Sequence, residues 1–454
     1  MIKKFSLLSV LLCGVSTFAS ADTLFDVLAY TYENSLTITA ERANLKATDE
    51  TVAISKSGYR PRLSADGSYG RSYNKYDYDA SVLNDSERRH QNPSDVSLNF
   101  VQPIFSGLST VNSVKSAKMN VRAGRSNLLS TEQMTLLDAT TVYMDVIRDK
   151  AVLELQISNE NVLKKHLESY RKRFKVGELT RTDVAQSEAR VSGATANRIA
   201  AEGDLKVSDA RFFSVVGIEP NDLKDVETVP VRLPETLDEA INLAMKNNPM
   251  IKAAEYIREA AGYSVSAKKG ALLPSVNVTA GLGRQRENLT VEQADYWRVV
   301  ATVSVPLFQS GSEYAEVRQA KNLENRYRIL WAKACQDVRS DTIAAWEQYQ
   351  ATKAQIESIK AQIKASKIAL DGVIREAKVG SRTVLDVLDA EQEHLDNQVS
   401  LVKVHRDEIV AAFTLMSAIG QMNQAGLNLN VKPYDPKAYY EDIKNQWFGY
   451  GVEG

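Results

Sequence analysis

The chain has 454 residues, 44% of them hydrophobic and 25% charged, with only 22 glycines and 11 prolines. That balance excludes a disordered polymer and a polytopic helical membrane protein, and the scarcity of helix breakers favours long helices over a glycine-rich doubly wound enzyme. With 56 basic against 57 acidic residues there is no bulk electrostatic case for a nucleic-acid partner, and 4 histidines with 2 cysteines leave little for a zinc site or a disulfide scaffold.

Residues 1–21 read as a secretory signal peptide. Lys3 and Lys4 precede an apolar run from Phe5 to Phe18, and Ala19-Ser20-Ala21 supplies small residues for cleavage before Asp22. Cys13 has Leu12 before it rather than a small residue, which argues against a lipid anchor. After cleavage one cysteine, Cys335, is left, and it cannot close an intramolecular disulfide. No later segment holds the ~18 uninterrupted apolar residues of a transmembrane helix. A membrane role therefore has to come from a barrel or an amphipathic surface.

From Leu24 to about Ser57 the pattern is helical. Two alternating segments follow, about 62–74 and 95–104, with Leu63, Ala65, Gly67 and Tyr69, then Val96, Leu98 and Phe100, at every second position. Between them, Tyr73 to Asp95 has the Tyr, Asp, Asn and Ser content of a loop. Pro103-x-Phe105 and Gly107 lead into a helical pattern almost free of breakers from about Ser109 to Val176, which at ~1.5 Å per residue reaches on the order of 100 Å.

The plan then repeats. Thr23-Leu24 recurs as Thr236-Leu237 and Pro61 as Pro274; further on, Pro103, Phe105, Val176-Gly177 and Gly217 recur as Pro306, Phe308, Val379-Gly380 and Gly420. The change of offset places a ten-residue excess in the first copy's polar loop. Two structural repeats are therefore expected, 22–225 and 226–420, followed by a tail, 421–454. The second repeat carries strands at about 275–285 and 296–306, where Trp297, Val299, Ala301, Val303 and Val305 alternate with Arg298, Thr302 and Ser304. Tyr296 and Trp297 suit either an aromatic girdle or an ordinary buried site. Spacings of seven through Ile356, Ile363, Leu370 and Ala377, and again through Leu388, Leu395, Val402, Ile409 and Met416, mark helices wound on partner helices. Strands of about ten residues match a tilted bilayer crossing, yet four per chain cannot close a barrel, and open edges cannot sit in lipid. The sequence thus predicts an oligomer that pools its strands. The alternative is a periplasmic coiled-coil structural or adaptor protein without a barrel.

The duplicated halves, the strand pairs ahead of very long helices and the turns Phe174-Lys175-Val176-Gly177 and Ala377-Lys378-Val379-Gly380 resemble the TolC family of outer-membrane efflux ducts. The densest local match runs from Val379 to Ala390, with Val176 to Val184 as its first-copy counterpart. The resemblance implies a mainly α protein with β structure. Three chains would form a twelve-stranded outer-membrane barrel, four strands each, continued by an α-helical coiled-coil tunnel through the periplasm. It implies a passive exit duct for type I protein secretion or small-molecule efflux, and no enzyme; no phosphate loop, nucleophile elbow or Cys-x-x-Cys is present. Implied partners are outer-membrane lipid, a periplasmic adaptor at the tips Val176, Gly177, Val379 and Gly380, and an inner-membrane ABC, RND or MFS transporter. No cofactor or metal is implied. The tail from Asp435 to Gly449 resembles that of the type I secretion members, where it packs outside the tunnel.

Asp386 and Asp389 lie three apart on one helix face. Three-fold symmetry would stack them as two acidic rings, which by resemblance guard the periplasmic entrance and favour cations. Thr180-x-x-Asp183 and Thr383-x-x-Asp386 also fit helix capping, a role that does not extend to Asp389. Arg382, Thr182 and Asp183 match the residues that latch the entrance in the family prototype, whereas its latch tyrosine is Ala377 here. The histidines lack metal-ligand spacing and are expected at the surface or between helices.

Overall fold

The computed structural model describes residues 23–77, 86–286 and 293–451, so the signal segment lies outside the described residues. In the first half α1 (Leu24–Asn34) and α2 (Leu36–Lys56) precede β1 (Arg62–Tyr69), β2 (Ser72–Asp77), β3 (Ser86–Gln91) and β4 (Ser94–Ser106). The long α3 (Ser109–Lys175) and α4 (Arg181–Val216) complete it. The second half runs α5 (Leu237–Asn247), α6 (Pro249–Gly270), β5 (Ser275–Arg286), β6 (Gln293–Ser304), α7 (Ser312–Lys378) and α8 (Val384–Ala418), and a short α9 (Ala438–Ile443) lies in the tail. The two long helices, α3 and α7, have 67 residues each.

Each opening helical stretch is interrupted once. Ser35 and Asn248 take extended backbone between helices. At the second break the Asn248 side chain accepts from the Met250 N–H at 2.9 Å and Pro249 occupies the first helical turn, so the new helix starts with its free donors reduced. Thr23 and Thr236 cap α1 and α5 through the N–H groups of Asp26 and Glu239.

β1, β4, β5 and β6 form one antiparallel sheet in that order. Its register aligns Leu63, Phe100, Ala280 and Val299 across the four strands, and next to them Ala65, Leu98, Leu282 and Trp297. The positions between read Ser64, Asn99, Gly281 and Arg298, then Asp66, Ser97, Gly283 and Tyr296. Because directly paired residues point to the same side, these positions make one face mainly apolar, up to the Arg284–Asp295 ion pair at its far end, and the other mainly polar. A polar contact joins the second face, where Asn99 Nδ2 donates to Asp66 Oδ2 at 3.0 Å. Tyr296 lies on that face too, with its ring end 2.7 Å from where a Gly283 Cβ would stand, so a larger residue there would have to displace the ring.

Two expectations about the strands need correction. The polar stretch after Tyr73 is not simply a loop: β2 and β3 pair as a separate hairpin from Ser72↔Gln91 to Asp77↔Ser86. The first strand accordingly ends at Tyr69, not 74, because Gly70 donates to the Pro93 carbonyl at 2.9 Å and the chain leaves the sheet there. The fourth strand of the sheet spans Gln293–Ser304, ending before Pro306. In β4 the proline at 103 is accommodated by a register shift between Pro103 and Phe105, since proline has no N–H for the ladder.

The main core lies midway along the helices, where α1, α5 and the tail wrap the long pair. Leu28, Leu136, Tyr143, Phe212, Phe413 and Leu415 are wholly buried there. Burial of each large side chain contributes on the order of 2 kcal/mol.

Candidate functional site

The ends of the long helices farthest from the sheet form two similar turns. At the first, α3 stops at Lys175, Gly177 adopts φ +80° and its N–H donates to the Phe174 carbonyl, while Glu178 N–H reaches back to Arg173. At the second, Gly380 adopts φ +82° and Ser381 N–H returns to the Glu376 carbonyl. The left-handed conformation is what glycine permits at low cost, and it lets the next helix fold back.

Both return helices open with a capping box. Thr180 Oγ1 accepts from Asp183 N–H at 3.2 Å while Asp183 Oδ2 accepts from Thr180 N–H at 2.9 Å. Thr383 and Asp386 repeat this at 3.2 and 2.8 Å. These donated bonds from the Thr383 backbone and hydroxyl, with Arg382 nearby, hold the Asp386 carboxyl below its ordinary range. Val176 and Val379 project at the two ends, 71% and 80% exposed.

Behind the turns Leu163, Tyr170, Ala194, Val384 and Leu388 form a small apolar cluster joining α3, α4 and α8. Ion pairs surround it. Asp389 is bonded to Arg190 of α4, a residue 199 positions away with no spacing signal to connect them. His166 Nε2 lies 2.9 Å from Glu391 Oε1 and stacks on the Tyr170 ring; the hydrogen bond to Glu391 raises the His166 pKa. Arg382 Nε donates to Glu376 Oε2 at 2.9 Å, so within one chain Arg382 bonds Glu376 while Asp183 caps α4 beside the exposed Thr182. The other helical histidines bond Ser366 (His394) and the Val226 carbonyl (His405).

A sheet apolar on one face, helices of 67 residues and glycine turns at their far ends are the parts of a membrane duct. The profile of the outer membrane efflux protein family matches residues 28–217 and 240–421. The chain belongs to that family. Among outer membrane efflux proteins, BepC of Brucella suis biovar 1 is 35% identical over 95% of this chain and 92% of its own length. The outer membrane protein TolC of Vibrio cholerae serotype O1 is 24% identical over 92% of this chain and 94% of its own. The crystal structure of the Campylobacter jejuni CmeC outer membrane channel superposes with a TM-score of 0.78 at 14% identity, covering 93% of this chain and 89% of that one. As an outer membrane efflux protein the chain places its sheet in the outer membrane and its helices in the periplasm.

Proposed function

We propose that three copies of this chain assemble into the exit duct of a tripartite export system, driven by an inner-membrane transporter through a periplasmic adaptor. The carrying observation is the sheet: among the described residues its outer strands β1 and β6 each leave one edge unpaired, yet its apolar face suits lipid. Three such sheets joined edge to edge close a twelve-stranded barrel with the polar face inside. Around the same axis the helix ends converge. Asp386 and Asp389 then form the acidic rings of the entrance, Val176, Gly177, Val379 and Gly380 meet the adaptor, and Arg382 with Thr182 and Asp183 latches neighbouring tips. Small-molecule efflux is the cargo that the likeness to BepC supports first, with type I protein secretion as the second.

Planar-bilayer recordings of the purified trimer test the rings. D386N/D389N should lose most of the preference for cations and the blockade by multivalent cations; unchanged selectivity removes the assignment. Arg190 already offsets Asp389, so D386N alone should cost more selectivity than D389N. R382A should raise conductance several-fold if the latch operates, and leave it unaltered if Arg382 serves only Glu376. A deletion strain separates the cargoes: hypersensitivity to dyes and antibiotics with an intact set of secreted proteins supports efflux, and the reverse supports type I secretion.

A further inference from the structure

The tail does not end loosely. It returns along α2 and finishes at the helix-side rim of the sheet, fixed by a set of cations. Lys56 Nζ donates to the Lys444 carbonyl at 2.7 Å and to Asn445 Oδ1 at 3.2 Å. Arg60 Nη1 donates to the Gln446 carbonyl at 2.8 Å, and its guanidinium lies 4.8 Å from the centroid of the Trp447 ring. Arg60 is two residues before Arg62, the first residue of β1, so at ~3.3 Å per residue the clamp sits only about 7 Å below the sheet. The turn it belongs to is tied to β4 as well, where Gln102 Nε2 donates to the Tyr59 carbonyl at 3.0 Å.

Beyond the clamp Gly449 adopts φ +123°, and Trp447, Phe448 and Tyr450 are 58%, 86% and 101% exposed. Large aromatics held in water by a rigid clamp are unfavourable unless something covers them. At the same end of the sheet Leu273, before β5, and Leu307 and Phe308, after β6, are exposed as well. The clamp carries a net excess of cations: burial and the nearby Lys118, Lys444 and Arg60 depress the Lys56 pKa against the opposite pull of Glu441, which is bonded to Lys444. Aromatic side chains above clustered cations, at the level where membrane strands begin, are what the phosphate and glycerol region of a phospholipid monolayer accepts.

We infer that Trp447, Phe448 and Tyr450 form an interfacial anchor that inserts into the periplasmic leaflet of the outer membrane, with Lys56, Arg60, Lys118 and Lys444 facing its phosphates. The anchor rests on the outer-membrane placement of the sheet but adds a lipid site outside the barrel. It would fix the height of the tunnel relative to the bilayer without contributing to the pore.

Single-tryptophan variants of the full-length trimer test it in nanodiscs of phosphatidylethanolamine and phosphatidylglycerol, with and without bromine on the upper acyl carbons. W297F/W331F/W346F retains Trp447, and W331F/W346F/W447F retains Trp297 in the barrel strand. The anchor predicts that brominated lipid removes half or more of the Trp447 emission and that iodide in the buffer quenches it weakly. Full iodide quenching with no effect of bromine places Trp447 in water and overturns the inference. Protection from both quenchers places it against protein, such as a second copy, and overturns it equally. Loss of bromine quenching at Trp447 while Trp297 stays quenched defeats the anchor alone; loss at both defeats the membrane placement and the anchor with it. If the tryptophan variants fail to assemble, C335A/F448C carrying a fluorophore gives the same readings in nanodiscs, with quenching by brominated lipid as the expected result and quenching by iodide alone overturning the inference.

Discussion

At the residue scale the tip shows how one side chain serves two demands. Asp386 closes a capping box and still presents a carboxylate at the end of the molecule. The sequence shows the capping half, because Thr-x-x-Asp is a local pattern. It hides the partner of Asp389, because Arg190 arrives from another helix. His166 is a similar case. Its pKa is raised by Glu391, so the link between α3 and α8 is fully present below about pH 6.5 and is lost as pH rises through the higher folded value. A double-mutant cycle with H166Q and E391Q, read by amide exchange of the tip helices, should show coupling of ~1 kcal/mol at pH 6 and almost none at pH 9.

At the element scale two places set the geometry. Where β4 turns into α3, Gly107 adopts φ +60°, and a Cβ there would stand 2.1 Å from the Gly270 carbonyl oxygen. Backbone meets backbone, so nothing can move aside cheaply. G107A should cost ~3 kcal/mol or more and lower the yield of protease-resistant trimer, whereas G177A, with open space around it, should cost only ~1–2 kcal/mol of local strain. The second place is the tail on α2. Arg42 is sandwiched between the rings of Tyr32 and Tyr434, and Asp49 and Glu132 are buried beneath. Burial, only partly countered by Arg125, raises Asp49 to about 6; burial against the weaker pull of Arg42 raises Glu132 to about 7. Tyr434, Tyr439 with its bond to Glu50, and Tyr440 over Arg125 face the same region. Both acids bind protons more readily folded than unfolded, so stability falls as pH rises from about 4 to about 7. Amide exchange over 434–446, corrected for its intrinsic pH dependence, should be slower at pH 5 than at pH 8, and E132Q should flatten the difference.

At the scale of the whole molecule the single chain is an incomplete object. Its sheet has two open edges and an apolar face, and its long helices carry partly exposed seven-residue seams, with Ile356 buried but Ile363, Leu370 and Ala377 only half covered. In the proposed trimer neighbouring copies cover both.

The sequence by itself determined the repeat of elements, the 67-residue helices, the glycine turns with their caps and the alternation of the strands, because each depends on neighbours a few positions apart. Even the β2–β3 hairpin escaped it: a polar Tyr-rich stretch does not show whether its backbone pairs, since pairing there leaves no apolar face to read. Only the tertiary structure decided the register that gathers apolar residues of four strands on one face, the partners of Asp389 and His166, and the path of the tail to Arg60. Those contacts join residues tens to hundreds of positions apart, and their geometry is fixed by how whole helices and strands pack.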